Sequence, residues 1–198
     1  MTTQERFFKR SLDILVSLGA MMVFLPLILI GFLMATASTH ASGIYAAYRI
    51  GQYGIPFKIY KLRSMRLEDN SSNSVTTLND PRITRTGRWL RKFKIDEFPQ
   101  LWNVLKGDMS LVGPRPDVKG FADELKGEGR IILSVKPGIT GLATLKFKKE
   151  EALLALQEDP IRYNREVIWP QKIKLNKEYV ENYSFCLDLK ILVKTFVP

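Results

Sequence analysis

Read from its hydrophobic pattern, the chain opens with its most distinctive stretch. From Ile14 to Ala37 there are 24 consecutive residues without a charge. A straight helix of that length, rising ~1.5 Å per residue, covers about 36 Å, enough to cross a hydrocarbon core of roughly 30 Å. The pattern therefore predicts a membrane segment rather than a core helix. It is also longer than the apolar core of a cleaved leader, usually about 7–15 residues. Pro26 falls near the middle, where it removes a backbone donor and crowds the preceding turn. Two outcomes are open: a spanning helix that tolerates a kink, or a helix that breaks and bends back so that both ends leave on one face. Basic residues flank both ends, with Arg6, Lys9 and Arg10 before and Arg49, Lys58, Lys61, Arg63 and Arg66 after. Both flanks thus qualify as cytoplasmic.

Beyond this segment the pattern shifts to mixed short elements. Alternating aromatic and polar residues over Tyr45–Met65, around Gly51 and Gly54, predict a β-hairpin, with Pro56 confining its strand to an edge. Leu67–Asp80, rich in Asn, Ser and Thr, reads as a long loop. Between Arg82 and Lys94 lie six basic residues and no acidic one. At about 100° per residue, Trp89, Leu90 and Phe93 share one arc and Arg85, Arg88, Arg91 and Lys92 another. Such a basic amphipathic helix either lies among lipid headgroups or packs on a core with solvated arginines. Pro99 opens a further helix that stops at Lys106-Gly107, so Asp96 and Glu97 sit at or just ahead of its amino terminus. Preceding cations and the helix dipole are expected to hold them ionised, and the bland alternative is that Asp96 is an ordinary N-cap. Pro114 and Pro116 give Arg115 a stiff mount or simply make a surface turn. Pro137-Gly138 predicts a type II turn. Helical patterns follow over residues 147–157, 170–182 and 185–197.

Composition narrows the chemistry. The 198 residues include 30 Lys and Arg against 20 Asp and Glu, a formal charge of +10, which favours anionic partners. His40 and Cys186 are the sole residues of their types. A Cys/His zinc site, a Ser-His-Asp triad and an internal disulfide are thereby of low prospect, and catalysis must run on carboxylates, Lys, Arg and perhaps a metal. No G-x-G-x-x-G, G-x-x-x-x-G-K-[ST] or D-x-D motif occurs, which weakens dinucleotide-binding, Walker-type and D-x-D glycosyltransferase readings.

The string DPRITRTGRWLRKFKIDEFPQLWNVLKGDMSLVGPRP, residues 80–116, resembles the signature region of bacterial sugar transferases that are monotopic polyprenyl-phosphate phosphoglycosyl transferases. The likeness extends to KRSLDIL before the apolar segment, PFKIYKLRSM, VKPGITGLA and YVENYSFCLDLKIL, close to the whole chain. The resemblance implies an α/β fold, mostly α with a small β-hairpin. It also implies a re-entrant membrane helix-break-helix at residues 1–40 and a cytoplasmic catalytic domain with interfacial amphipathic helices at 41–198. It places the protein on the cytoplasmic face of the bacterial inner membrane, among its lipids. The implied reaction moves a phosphosugar from a UDP-sugar to polyprenyl (undecaprenyl) phosphate, releasing UMP, as a first membrane step of polysaccharide or glycoconjugate assembly.

In that reaction Asp96 matches the covalent nucleophile, and a carboxylate can serve a phosphoryl group in this way. Glu97 is assigned to Mg²⁺ or to orienting the site, with Mg²⁺ expected on Asp96 and Glu97. Arg91 and Arg115 would clamp phosphate oxygens, with Lys61 a weaker candidate. The chain departs from the family pattern at Leu25, where a serine is frequent before the proline, at Lys94-Ile95 in place of Ser-Leu, and at Asn176 in place of an aspartate. Sugar choice is expected in Leu67–Asp80 and residues 117–183, which carry no readable code, and no pattern speaks to oligomeric state. Two rivals stand beside this reading. One is a non-catalytic membrane scaffold of the same fold. The other is a membrane-anchored nucleic-acid binder, which leaves Asp96, Glu97 and the Pro-Arg-Pro mount unexplained; the family reading has no nucleic-acid partner.

Overall fold

The computed structural model describes residues 1–67, 76–77 and 80–196; most of the Leu67–Asp80 loop lies outside the described residues. Helix α1, Thr3–Thr39, starts in a capping box: Glu5 N–H donates to Thr2 Oγ1 and Thr2 N–H to Glu5 Oε2. The expected break at Pro26 is absent, because the helix runs through it without interruption. Proline's fixed φ is itself helical, so the helix continues through Pro26 despite one lost backbone bond and a crowded turn.

The buried residues of α1, namely Lys9, Asp13, Ser17, Gly31, Ala35 and Thr39, recur every four residues in two sets. The sets are separated by 31 − 17 = 14 residues, about four turns, so they form one stripe along the helix. The rest of the domain packs along this stripe. Ala20 and Met21 meet the core of Ile59, Leu101, Val104 and Tyr179, while Leu27, Ile28 and Phe32 meet Leu62, Leu90 and Ile95. Gly31 permits the closest approach, since a Cβ there would stand 2.6 Å from Leu62 Cδ1. The other side of α1 exposes Leu15, Met22, Val23, Leu29 and Leu33.

The hairpin is present: β1, Ile44–Ile50, pairs antiparallel with β2, Pro56–Leu62, from Ile44 opposite Leu62 to Ile50 opposite Pro56. Helix α2, Arg85–Lys92, is capped by Thr84 Oγ1 accepting from Gly87 N–H at 2.9 Å. Its apolar arc divides. Leu90 is fully buried, whereas Trp89 and Phe93 stay exposed with ring centroids 5.3 Å apart. Leu90 therefore belongs to the core and not to the aromatic edge, as adjacent positions on a helix point ~100° apart. Helix α3, Gln100–Lys106, ends at Gly107 in the left-handed conformation. Asn103 fixes α3 to β2, donating to Lys58 O at 2.6 Å and accepting from Tyr60 N–H at 3.1 Å.

Strand β3, Ser110–Val112, pairs parallel with β4, Gly138–Thr140. The expected type II turn at Pro137-Gly138 does not form. Gly138 begins β4, and a Cβ on it would lie 2.1 Å from Gly113 N, so the glycine serves close backbone approach. Helices α4 (Leu142–Lys146), α5 (Glu150–Ala155), α6 (Pro160–Tyr163), α7 (Trp169–Glu181) and α8 (Phe185–Phe196) complete the chain. The class is as expected, mostly α with two small sheets.

Candidate active site

Between α2 and α3 the chain reverses at Lys94, which adopts φ 57°, and then forms a 3₁₀ turn over Ile95–Glu97. Ile95 is buried with Leu62 and Leu90, and this anchors the turn. Asp96 does not act as a helix cap: the residue flanking α3 is Pro99, and no side chain caps that end. Asp96 is only 5% exposed, and its Oδ1 is buried without a hydrogen-bond partner among the described residues. Burial and the neighbouring Glu97 push its carboxyl above the ordinary aspartate range, against Lys61, Arg91 and Lys94. Desolvation thus outweighs the cations, and the shift is upward instead of the downward one that the preceding cations and helix dipole favour.

Glu97 is held differently. Its Oε1 accepts from Lys61 Nζ at 2.9 Å and from Arg115 Nη2 at 2.7 Å. Burial opposes ionisation here too, but Arg115 and Lys61 hold the carboxyl well below the usual glutamate range. The adjacent carboxylates are therefore pushed apart in pKa, Asp96 upward and Glu97 downward. Burial draws Lys61 downward although Glu97 opposes this. Arg115 is mounted between Pro114 and Pro116 as the sequence implied, and the preceding β3 strand is buried throughout.

Four of the five expected residues, Lys61, Asp96, Glu97 and Arg115, thus converge. Arg91 stands beside them but is engaged elsewhere, donating to Ser64 Oγ at 3.3 Å and to Glu151 of α5. Sequence reading missed Glu151, and it missed Asp117 and the pair Lys172–Glu150, 2.7 Å apart. Burial pushes Asp117 up to about 7, while Lys172 and Arg115 pull it down. Asp117 directly follows the Pro-Arg-Pro mount, the one local signal that could have flagged it. Glu150 and Glu151 come from a distant helix and had none.

No cluster of three or more His, Cys, Asp or Glu side chains that could hold a metal occurs among the described residues. Asp96 with an unpartnered oxygen and Glu97 beside it nonetheless fit Mg²⁺, which takes one or two carboxylates and completes its shell with substrate phosphates and water.

Residues 4–198 match the family model described as bacterial sugar transferase, and the chain belongs to that family. It is 35% identical over 193 residues to the UDP-N-acetylgalactosamine-undecaprenyl-phosphate N-acetylgalactosaminephosphotransferase of Aeromonas hydrophila, covering 96% of this chain and 43% of that protein. With the UDP-galactose-lipid carrier transferase of Erwinia amylovora it shares 32% over 207 residues, 96% of this chain and 40% of the relative. With the UDP-glucose:undecaprenyl-phosphate glucose-1-phosphate transferase of Caulobacter vibrioides it shares 35% over 193 residues, 94% and 67%. The chain therefore spans less than half the length of the first two relatives and about two thirds of the third.

Proposed function

We propose that this protein transfers a sugar phosphate from a UDP-sugar to a polyprenyl phosphate, undecaprenyl phosphate, in two steps through Asp96. The reading rests above all on the Asp96–Glu97 pair: a nearly buried carboxylate with a free oxygen, beside a second carboxylate locked by Lys61 and Arg115. The names of the three relatives support the donor and acceptor classes and differ in the sugar.

In the first step the Asp96 carboxylate attacks the sugar-bearing phosphorus, the bond to the UMP oxygen breaks, and UMP leaves with that electron pair. In the second, an oxygen of the lipid phosphate attacks the same phosphorus and Asp96 departs as a carboxylate. One carboxylate thereby serves a soluble donor and a lipid acceptor in turn. Arg115 would present its guanidinium fork to phosphate oxygens, where charge develops in transfer, and Arg91 would join it on leaving Glu151. Glu97, joined by Asp96 while that carboxylate is free of the phosphosugar, would hold Mg²⁺, which when bound neutralises phosphate charge. Lys61 keeps Glu97 in place.

The same reading keeps both ends of α1 on the cytoplasmic face of the inner membrane, as an uninterrupted helix and not the helix-break-helix that the resemblance implied. Both of its ends are tied to one domain. Lys9 bonds Asp188, Arg10 bonds the Val104 and Leu105 carbonyls at the end of α3, and Ser38 meets Thr84. A helix whose two ends bind the same polar domain does not leave that domain on opposite sides of a bilayer. Cysteines placed at Thr3 and Ser42 in a Cys186→Ser background should both resist an impermeant thiol reagent in intact cells; labelling of one alone would establish a spanning helix.

Incubation with UDP-sugars, undecaprenyl phosphate and Mg²⁺ should release UMP, and absence of UMP with every donor would defeat the assignment. Arg115→Ala is expected to lower turnover by roughly 10²-fold, the usual cost of one well-aimed charge-stabilising donor. The side chain is 36% exposed, so the protein should remain folded by circular dichroism. Wild-type rates would reduce Arg115 to a turn residue.

A further inference from the structure

Two buried polar atoms near the site lack partners and are complementary. Gln100, the first residue of α3, is 1% exposed, and its Nε2 makes no hydrogen bond among the described residues. Asp96 Oδ1, equally buried, accepts none. The backbone between them is helical, with Phe98 at φ −58°, ψ −34° and Pro99 at φ −59°, ψ −16°. Positions 96 and 100 are thus four residues apart along one helical run, while Glu97, Gln100 and Asn103 follow one another at three-residue spacing. The flanking contacts fix the face on which Gln100 lies. Asn103, further along α3, grips β2 at Lys58 and Tyr60, and Glu97, before it, grips Lys61. Gln100 sits between these two ties, on the side of α3 that meets β2 and the site.

A buried donor without an acceptor loses its hydration with nothing in return, and an apolar side chain of similar volume would avoid that loss. The same holds for an unpaired acceptor. An amide with a spare N–H and a carboxylate with a spare oxygen thus stand four residues apart in the chain, both buried and unjoined in the free protein.

We propose that Gln100 is a positioning residue for phosphoryl transfer, its Nε2–H donating to Asp96 Oδ1 while Oδ2 carries the phosphosugar. This rests on the transfer reaction proposed above. As Oδ2 bonds to phosphorus and UMP leaves, Oδ1 becomes the acyl oxygen of the mixed anhydride. As the lipid phosphate attacks in the second step, the Oδ2–phosphorus bond breaks and its electron pair returns to the carboxylate. A donor on Oδ1 fixes the carboxylate's rotation, aims Oδ2 outward, and stabilises the departing anion.

The test uses the full chain in detergent with UDP-sugar, undecaprenyl phosphate and Mg²⁺, comparing Gln100→Met and Gln100→Glu with wild type. Gln100→Met keeps the volume and removes the donor. It should lower kcat by roughly 10²-fold with little change in KM, while its thermal midpoint stays equal to wild type or rises. A structural amide gives the opposite stability result. Gln100→Glu should also lose kcat, because an ionised carboxylate cannot donate and repels Asp96. Wild-type kcat in Gln100→Met overturns the role, and so does a fall in kcat accompanied by a clear drop in midpoint. A wild-type chain that never acquires a donor-derived mass adduct overturns the two-step reaction itself and the role of Gln100 with it. A wild type that forms the adduct beside an unimpaired Gln100→Met variant overturns the Gln100 role alone.

Discussion

Asp96→Asn is expected to abolish turnover, by about 10⁴-fold or more, and to eliminate the mass adduct formed with donor alone. Losing the nucleophile of a covalent mechanism removes the pathway rather than one of its supports. Asparagine keeps the shape and burial of the side chain, so the loss cannot be assigned to collapse of the turn, which is anchored by Ile95 in the core. Its nitrogen would bring two donors beside Lys61, Arg91 and Lys94, and it offers no anionic oxygen to phosphorus. The pH dependence follows from the same site. Attack requires ionised Asp96, whose pKa burial raises, so activity should fall on the acid side from a higher pH than an ordinary aspartate gives. Glu97, held ionised by Arg115 and Lys61, should add nothing to that limb in the range where the protein is folded. Removing one of the cations that oppose the shift, as in Lys61→Met, should move the limb further up. An adduct that persists in Asp96→Asn would transfer the nucleophile to another residue.

Much of this site was legible because its parts are local in sequence. Asp96, Glu97, Pro99 and the Pro-Arg-Pro mount fall within 21 residues, 96 to 116, and prolines and glycines there leave few backbone choices. The hairpin was equally legible, since alternation and the glycine pair specify it without tertiary help. What remained hidden depends on burial and on partners distant in the chain. The sequence surrounds Asp96 with cations and so argues for a lowered pKa, but only the fold reveals that desolvation turns the shift upward. Glu151 reaches Arg91 across 60 residues, a pairing no spacing rule supplies. Gly138 looked like a turn residue because Pro-Gly is a turn signal. Its use as a bare backbone surface under Gly113 appears only once β3 and β4 are placed together.

Lys9 is the sharpest case of a residue whose meaning changes with the fold, and it carries the largest stability effect. In the sequence it is one of three basic residues flanking an apolar segment. In the structure it is buried, with Nζ donating to Asp188 Oδ2 at 2.6 Å and to Val112 O at 2.9 Å. Tyr179 completes the cluster, donating to Asp188 Oδ1 at 2.7 Å. The pair joins the first turns of α1 to α8, with side-chain exposures of 10% and 2%.

Lys9→Ala leaves the Asp188 carboxylate buried without its cation and should cost ~3–5 kcal/mol of unfolding free energy. For a chain of this size that corresponds to a thermal midpoint lower by roughly 6–20 °C. Arg162→Ala is the control. It breaks an ion pair exposed to 71% and 57%, and such pairs are worth about 1 kcal/mol at most. The double replacement Lys9→Met with Asp188→Leu should regain most of the loss, since an apolar pair of similar size avoids both desolvation costs. If Lys9→Ala melted no earlier than Arg162→Ala, the cluster would not be the clamp between α1 and the domain. The claim that both ends of α1 are held on one side would then rest on Arg10 and the Ser38–Thr84 contact alone.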